Sequence, residues 1–312
     1  MASSPNSSEV SVPTKTVNSM AITQIEVVLL SSLNVLSALI GTFGNILVFL
    51  VVAKCRYLGW QKTEYFICSL AGSDILVCLV AQPMYITHLN GALSTRINTL
   101  RTTVTWIATL ASVSSLLTIS IDRFLALLFL RRYRTMMKTR TALILVMVTW
   151  LFSVAIGISA SSFHRTLRFV AQYFVIAVLI AVPIFYVGIF LIVRIQCTEM
   201  KKRFPSLSRT LRTFTREKTI AKLIAIVIGV FYICYTPLIV LPFFFGSRSS
   251  RFIALRVFPW VNTLALCNSC VNPYIYYWRS WRFRYAIQNM HLGKAMFRIK
   301  SKRIDREVVN AV

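Results

Sequence analysis

"NSCVNPYIYYW", residues 268–278, puts Asn268, Ser269, Asn272 and Pro273 inside a strongly apolar stretch. A proline has no N–H to donate, so it frees the carbonyl one helical turn earlier. Where water is present this matters little. In a bilayer every backbone polar group needs an internal partner. The amide and hydroxyl side chains around Pro273 can re-satisfy that carbonyl and reach across to neighbouring helices. The expected neighbours are Asn45 and Asp74, the polar residues in the middle of two other apolar runs.

The rest of the chain supports a membrane setting. Of 312 residues, 56% are hydrophobic and only 14% charged, against about 25% charged in ordinary soluble domains. The mean hydropathy is +0.67. Seven apolar runs are long enough to span a hydrocarbon core, which takes about 20 residues of helix. They lie at 25–52, 64–88, 100–130, 141–161, 169–196, 219–245 and 253–278. None alternates every second residue as a barrel strand would. The predicted fold class is therefore an all-α membrane protein, a bundle of seven transmembrane helices. A polar tail (1–24) precedes the spanning domain (25–278), and a basic tail (279–312) follows it. The first 24 residues are too hydrophilic for a cleavable signal peptide, so the first span is expected to act as the targeting signal.

Charge gives the orientation. The net charge is +26, from 35 Lys and Arg against 9 Asp and Glu. Nucleic-acid binding is not the expected reading, because the basic residues fall between long uncharged runs. With the amino terminus outside, 27 of the 35 basic residues lie on the inner side, as the positive-inside rule requires. The expected location is the plasma membrane, multi-pass, amino terminus extracellular. Asn6 opens an N-glycosylation sequon, "NSS", on the side where that modification occurs. None of the seven cysteines falls in an outer segment, so no extracellular disulfide is expected. The three histidines are far apart, and no catalytic set assembles, so the protein is not expected to be an enzyme.

Polar residues inside the spans carry the functional reading. Asp74 stands near the middle of the second run, where a carboxylate costs several kcal/mol unless paired, hydrated or protonated. It is read as an ion or proton site rather than a structural carboxylate. Asp122 and Arg123 are adjacent at the inner end of the third run. Pro183 and Pro237 interrupt the fifth and sixth, and each is either a pivot or a tolerated kink.

Together these residues resemble the rhodopsin-like (class A) G-protein-coupled receptors. The resemblance rests on one motif per helix, in order: "GN" at 44–45, "LAGSD" at 70–74, "DRF" at 122–124, Trp150, Pro183, "CYTP" at 234–237 and "NPYIY" at 272–276. It covers about residues 25–290. It implies binding of an extracellular small molecule, lipid or short peptide, and activation of a heterotrimeric G protein through outward movement of the sixth helix. Arrestin is a further partner the resemblance implies. No cofactor is required. A sodium ion held by Asp74, Ser112, Asn268 and Asn272 is an implied allosteric guest. Asp122 and Glu217 are implied to hold Arg123 at rest, and Tyr276 to swing inward on activation. Val113, Pro183 and Phe231 match a packing switch, with Pro237, Asn272 and Pro273 as the bending points. The stretch 278–287 reads as an amphipathic helix, with Trp281, Phe283 and Ile287 toward lipid and its arginines on anionic headgroups.

The chain also departs from the family pattern. Tyr235 replaces the usual toggle tryptophan. Leu191 stands where the fifth helix usually has a tyrosine, and Asn98 where the third usually has a disulfide cysteine. A receptor that binds ligand but signals poorly therefore remains an alternative. A less favoured one is an ion-coupled transporter, which would show an internal repeat. The expected ligand pocket combines Thr105, Trp106, Thr109, Tyr235, Ile239, Phe258 and Asn262. Thr105 in place of an aspartate disfavours a biogenic amine, and the seventh span lacks the lysine an opsin needs. Arg96, Arg101, Arg165, Arg168, Arg248, Arg251 and Arg256 make a basic outer rim. It suits an anionic ligand, lipid headgroups or plain solvation.

Overall fold

A computed structural model describes residues 22–54, 63–92, 94–129, 132–161, 165–203, 208–244 and 253–291. Residues 1–21, Asn6 among them, the segment 245–252 and residues 292–312 lie outside the described residues. All regular structure among the described residues is helical. Helix α1 is Gln24–Lys54 and α2 is Thr63–Leu89, with one π-helical stretch at Val77–Ala81. Helix α3 is Thr95–Leu128, α4 Thr139–Ser161, α5 Arg165–Arg203 and α6 Ser208–Phe244. A π turn at Ile253–Val257 leads into α7, Phe258–Arg279. Helix α8 is Trp281–His291.

Helices α1 to α6 are long and apolar enough to cross a membrane. Helix α7 falls short of that hydropathy because its turns carry Asn262, Thr263, Asn268, Ser269 and Asn272. It nevertheless packs along α1 and α6 as part of the same bundle. Helix α3 is central, touching α2, α4, α5 and α6. Its tightest neighbour is α4. A Cβ on Gly157 would sit 2.9 Å from the Ile107 backbone nitrogen, so only glycine admits that approach.

The bundle is inverted relative to a water-soluble one. Large apolar side chains such as Phe43, Leu39, Ile184 and Ile233 point outward, while Asn34, Asn45, Ser73, Asp74, Gln82, Asp122 and Arg123 are buried. Burying apolar surface gains nothing when the solvent is lipid. Interior contacts are therefore set by small residues and hydrogen bonds.

Helix α8 differs from the sequence expectation. Phe283 and Ala286 are buried and Ile287 packs on the same core, so this face is covered by the bundle and not by lipid. Ser280 is extended and breaks the helix, and its hydroxyl accepts from the Phe283 N–H at 3.3 Å as an N-cap. That turn lays Phe283 against Tyr276, with ring centroids 6.3 Å apart. The Trp281 side chain lies outside the described residues.

Candidate functional site

Functional side chains gather at three levels along the bundle. At one end is a cavity of about 540 Å³. All seven residues expected for a ligand pocket line it: Thr105, Trp106 and Thr109 from α3, Tyr235 and Ile239 from α6, Phe258 and Asn262 from α7. Phe169, Gln172, Tyr173, Val175 and Ile176 of α5 and Leu238 of α6 complete the wall. Sequence reasoning missed the α5 group, although Gln172 among aromatics in "RFVAQYF" (168–174) was an available signal. Among the described residues the lining holds no charged side chain.

Three of the rim arginines have partners outside the cavity lining, and Arg96 is exposed. Arg101 donates to Asn98 Oδ1 at 2.8 and 3.1 Å and lies 5.8 Å over the Tyr85 ring. Arg256 pairs with Glu26 at 3.4 Å. Arg168 donates to the Ala160 carbonyl at 3.5 Å. Arg248, Arg251 and the Arg165 side chain lie outside the described residues.

Tyr235 forms the cavity floor and is buried. It stacks on Phe231 with centroids 4.3 Å apart and planes 20° apart. Phe231 in turn shares a small apolar gap with Val113, Val182 and Ile228. The structure does not bring Pro183 to this cluster. Pro183 is exposed, and its neighbour Val182 faces Val113 and Phe231 instead. A proline fixes a kink but not the phase of the residues around it, so the buried member had to be read from packing. The carbonyl freed by Pro183, that of Leu179, accepts the Tyr232 hydroxyl from α6. Pro237 follows Tyr235 by two residues in α6, between the ring stack and the Leu238–Ile239 cavity wall.

The middle level surrounds Asp74, which is 1% exposed. Asn272 donates its Nδ2 to Asp74 Oδ2 at 2.7 Å. Ser73 donates to the Leu70 carbonyl at 2.8 Å, so in its 2.8 Å contact with Ser112 the Ser112 hydroxyl is the donor. That leaves the Ser112 oxygen with free lone pairs. Asp74 Oδ1, Asn268 Oδ1 and Asn272 Oδ1 are buried without a hydrogen-bond partner. All of these unsatisfied atoms are oxygens, one of them anionic. This donor set fits a hard cation such as sodium and offers nothing to a soft metal. Two turns above, Gln82 donates to Ser37 at 2.6 Å, and Asn34 to Thr263 at 3.0 Å, tying α1, α2 and α7 together.

The third level is a cage around Arg123, which is wholly buried. Its guanidinium donates to Asp122 Oδ2 at 2.5 Å from Nη2 and 3.1 Å from Nε. It also donates to the Thr63 hydroxyl and lies 5.9 Å over the Tyr133 ring. Thr63 donates to Asp122 at 2.9 Å, and the Tyr133 hydroxyl donates to the other carboxylate oxygen. Thr63 and Tyr133 were not foreseen. Glu217 is in α6, but its side chain lies outside the described residues. Tyr276 is buried, whereas Leu191 faces outward and is 52% exposed.

Tyr186 of α5 packs against two apolar clusters, one holding Val113 and Phe231 and the other Leu127 and Ile189. Its hydroxyl is buried without a hydrogen-bond partner. Such a group costs about 1–3 kcal/mol. Tyr186→Phe is therefore expected to stabilise the resting fold by about 1 kcal/mol, seen as a higher unfolding temperature in detergent. A lower one would mean the hydroxyl is paired.

The chain matches the family described as "7 transmembrane receptor (rhodopsin family)" over residues 44–276. It is 29% identical over 281 residues to the adenosine receptor A2a of Canis lupus familiaris, covering 79% of this chain and 68% of that one. It is also 29% identical over 307 residues to the alpha-1A adrenergic receptor of Oryzias latipes, covering 81% of this chain and 64% of that receptor. The human adenosine receptor A2a is 28% identical over 281 residues. The chain thus belongs to the seven-transmembrane receptors of the rhodopsin family. It is a multi-pass membrane receptor and not an enzyme.

Proposed function

We propose that a small, uncharged molecule binds in the cavity and that its binding is passed through Tyr235 and Phe231 to the Arg123 cage, where a heterotrimeric G protein is engaged. One observation carries this reading. A continuous column of buried contacts runs from the cavity floor, through the Tyr235–Phe231 stack, to the core that holds Tyr276. Helix α6 supplies both rings of the stack, so a ligand that displaces Tyr235 acts directly on the helix expected to move. The same reading puts the cavity end outside, the amino terminus extracellular and the Arg123 end in the cytoplasm of a plasma-membrane protein. A sodium ion at Asp74, Ser112, Asn268 and Asn272 would favour the resting arrangement. The family resemblance implies Glu217 as a second acidic partner for Arg123.

The relatives' names narrow the ligand only in part. An adrenergic ligand carries an ammonium, yet Thr105 and the rest of the described lining offer it no carboxylate. A neutral molecule with hydrogen-bonding edges suits Thr105, Thr109, Gln172 and Asn262 better. An anionic one would meet arginines only at the rim.

The test is nucleotide exchange on a panel of Gα subunits, in membranes with confirmed surface expression. Asp122→Asn weakens the hold on Arg123 while keeping the shape of the cage. Ligand-independent exchange is expected to rise about tenfold, a population shift of about 1.4 kcal/mol. Adding Arg123→Ala should return it to background. Silence of Asp122→Asn on every Gα would overturn the coupling role.

A further inference from the structure

We propose that the cavity opens sideways into the bilayer between α5 and α6, and that its ligand is an uncharged amphiphile arriving dissolved in the membrane. This rests on the cavity being the ligand site and adds a route and a chemical class.

The route follows from helical phase. Tyr173, Ile180, Ile184, Val187 and Leu191 are spaced by seven, four, three and four residues, so they share one face of α5. They are 65%, 61%, 65%, 59% and 52% exposed, within the apolar span Thr166–Ile195. This is the stripe that meets acyl chains. Tyr173 belongs to it and also lines the cavity, as does Phe169 one turn above, at 47% exposed. A residue on the outer face can line a cavity only where that cavity reaches the outer face. The lower limit of the opening is fixed by the Tyr232 hydroxyl, which binds the Leu179 carbonyl and holds α6 to α5. Above that bond, Gln172 and Ile176 on one helix and Leu238 and Ile239 on the other face the cavity.

The chemistry follows from the lining. Ile176, Leu238, Ile239 and Phe258 suit an apolar body. Thr105, Thr109, Gln172 and Asn262 suit a hydroxyl, ester or amide head. No lining side chain among the described residues can neutralise a charged head, and burying a charge without a partner is far costlier than burying a hydrogen-bonded neutral group.

Trp106 lines the cavity and reports on both claims. The receptor is placed in nanodiscs of phosphatidylcholine with or without bromine in the upper half of the acyl chains. Subtracting the Trp106→Phe spectrum isolates the Trp106 emission. Contact quenching needs approach to about 4 Å, so an acyl chain entering the opening should remove about half of that emission. Ile176→Phe with Leu238→Phe, which fills the opening, should abolish most of the loss. Tyr173→Ala, which widens it, should increase the loss and covers the case where the filled variant misfolds. A few mole per cent of 1-monoolein should restore the emission, and oleate should not. Quenching by aqueous iodide but not by bromolipid would overturn the sideways route. Restoration by oleate alone would overturn the uncharged class. No G protein is involved, so failure here and failure of the exchange experiment are separate results.

Discussion

Arg123→Met is expected to destabilise the folded receptor by about 4 kcal/mol, because it leaves a buried carboxylate without its counter-charge. Asp122 is 1% exposed and, among the described residues, would retain the Thr63 and Tyr133 hydroxyls as donors. Methionine approximates the lost stem but supplies no charge. The companion variant decides whether charge or packing is responsible. Asp122→Asn with Arg123→Met removes both charges, and the amide oxygen can still accept from Tyr133 while its NH2 donates to the Thr63 hydroxyl oxygen, which no longer accepts from Arg123. It should recover most of the loss, ending within about 1.5 kcal/mol of the native protein. Thermal unfolding in nanodiscs gives the order of the three. Equal instability of the single and double variants would mean that lost packing, and not the orphaned charge, sets the cost. Both variants should be silent in nucleotide exchange, so the recovery in the double variant separates stability from signalling.

The cage also shows why part of the site could be read early and part could not. Asp122 and Arg123 are neighbours in sequence, and adjacent opposite charges at the end of an apolar run are conspicuous. Thr63 and Tyr133 are common residue types brought in by α2 and by the short helical turn Tyr133–Met136. Only folding places them on Asp122. Likewise, the spans were legible because bilayer thickness imposes a length on each apolar run. Span α7 was legible despite its low hydropathy, because its polar residues cluster around a proline. What periodicity cannot say is which partner takes an apolar face. Helix α8 has a sharply amphipathic pattern, and Phe283 was free to meet either lipid or bundle. The Ser280 break turned it onto Tyr276. The same ambiguity concealed Val182 behind Pro183 and concealed the α5 wall of the cavity. Helix α5 is apolar nearly all round, so its sequence does not announce which side faces in.

The second large effect is expected at Asn45. Pro273 leaves the Ser269 carbonyl without its helical donor. Asn45 supplies one, donating from Nδ2 to Ser269 O at 2.9 Å and to Gly41 O at 2.9 Å. Asn45 is wholly buried, and no water is at hand to replace it in the hydrocarbon region. Asn45→Ala should therefore cost about 2–3 kcal/mol, the penalty of an orphaned buried carbonyl plus the lost bond. Pro273→Ala alone should cost less. It restores the N–H, but it removes the ring packed on Gly44, where an added Cβ would lie 2.9 Å from two ring carbons. In the double variant the N–H restored at position 273 can take over the carbonyl that Asn45 no longer serves. The two changes should be non-additive, with a coupling of about 1–2 kcal/mol in the stabilising direction. Thermal unfolding of the four proteins gives this coupling directly. Strict additivity would mean that Asn45 stabilises through α1 alone and that the Ser269 carbonyl is satisfied without it. A clear coupling would tie the proline to the asparagine across α7 and α1. The polar residues in residues 268–278 would then be the condition for a proline inside the membrane, and the kink a feature held by α1 rather than by α7 itself.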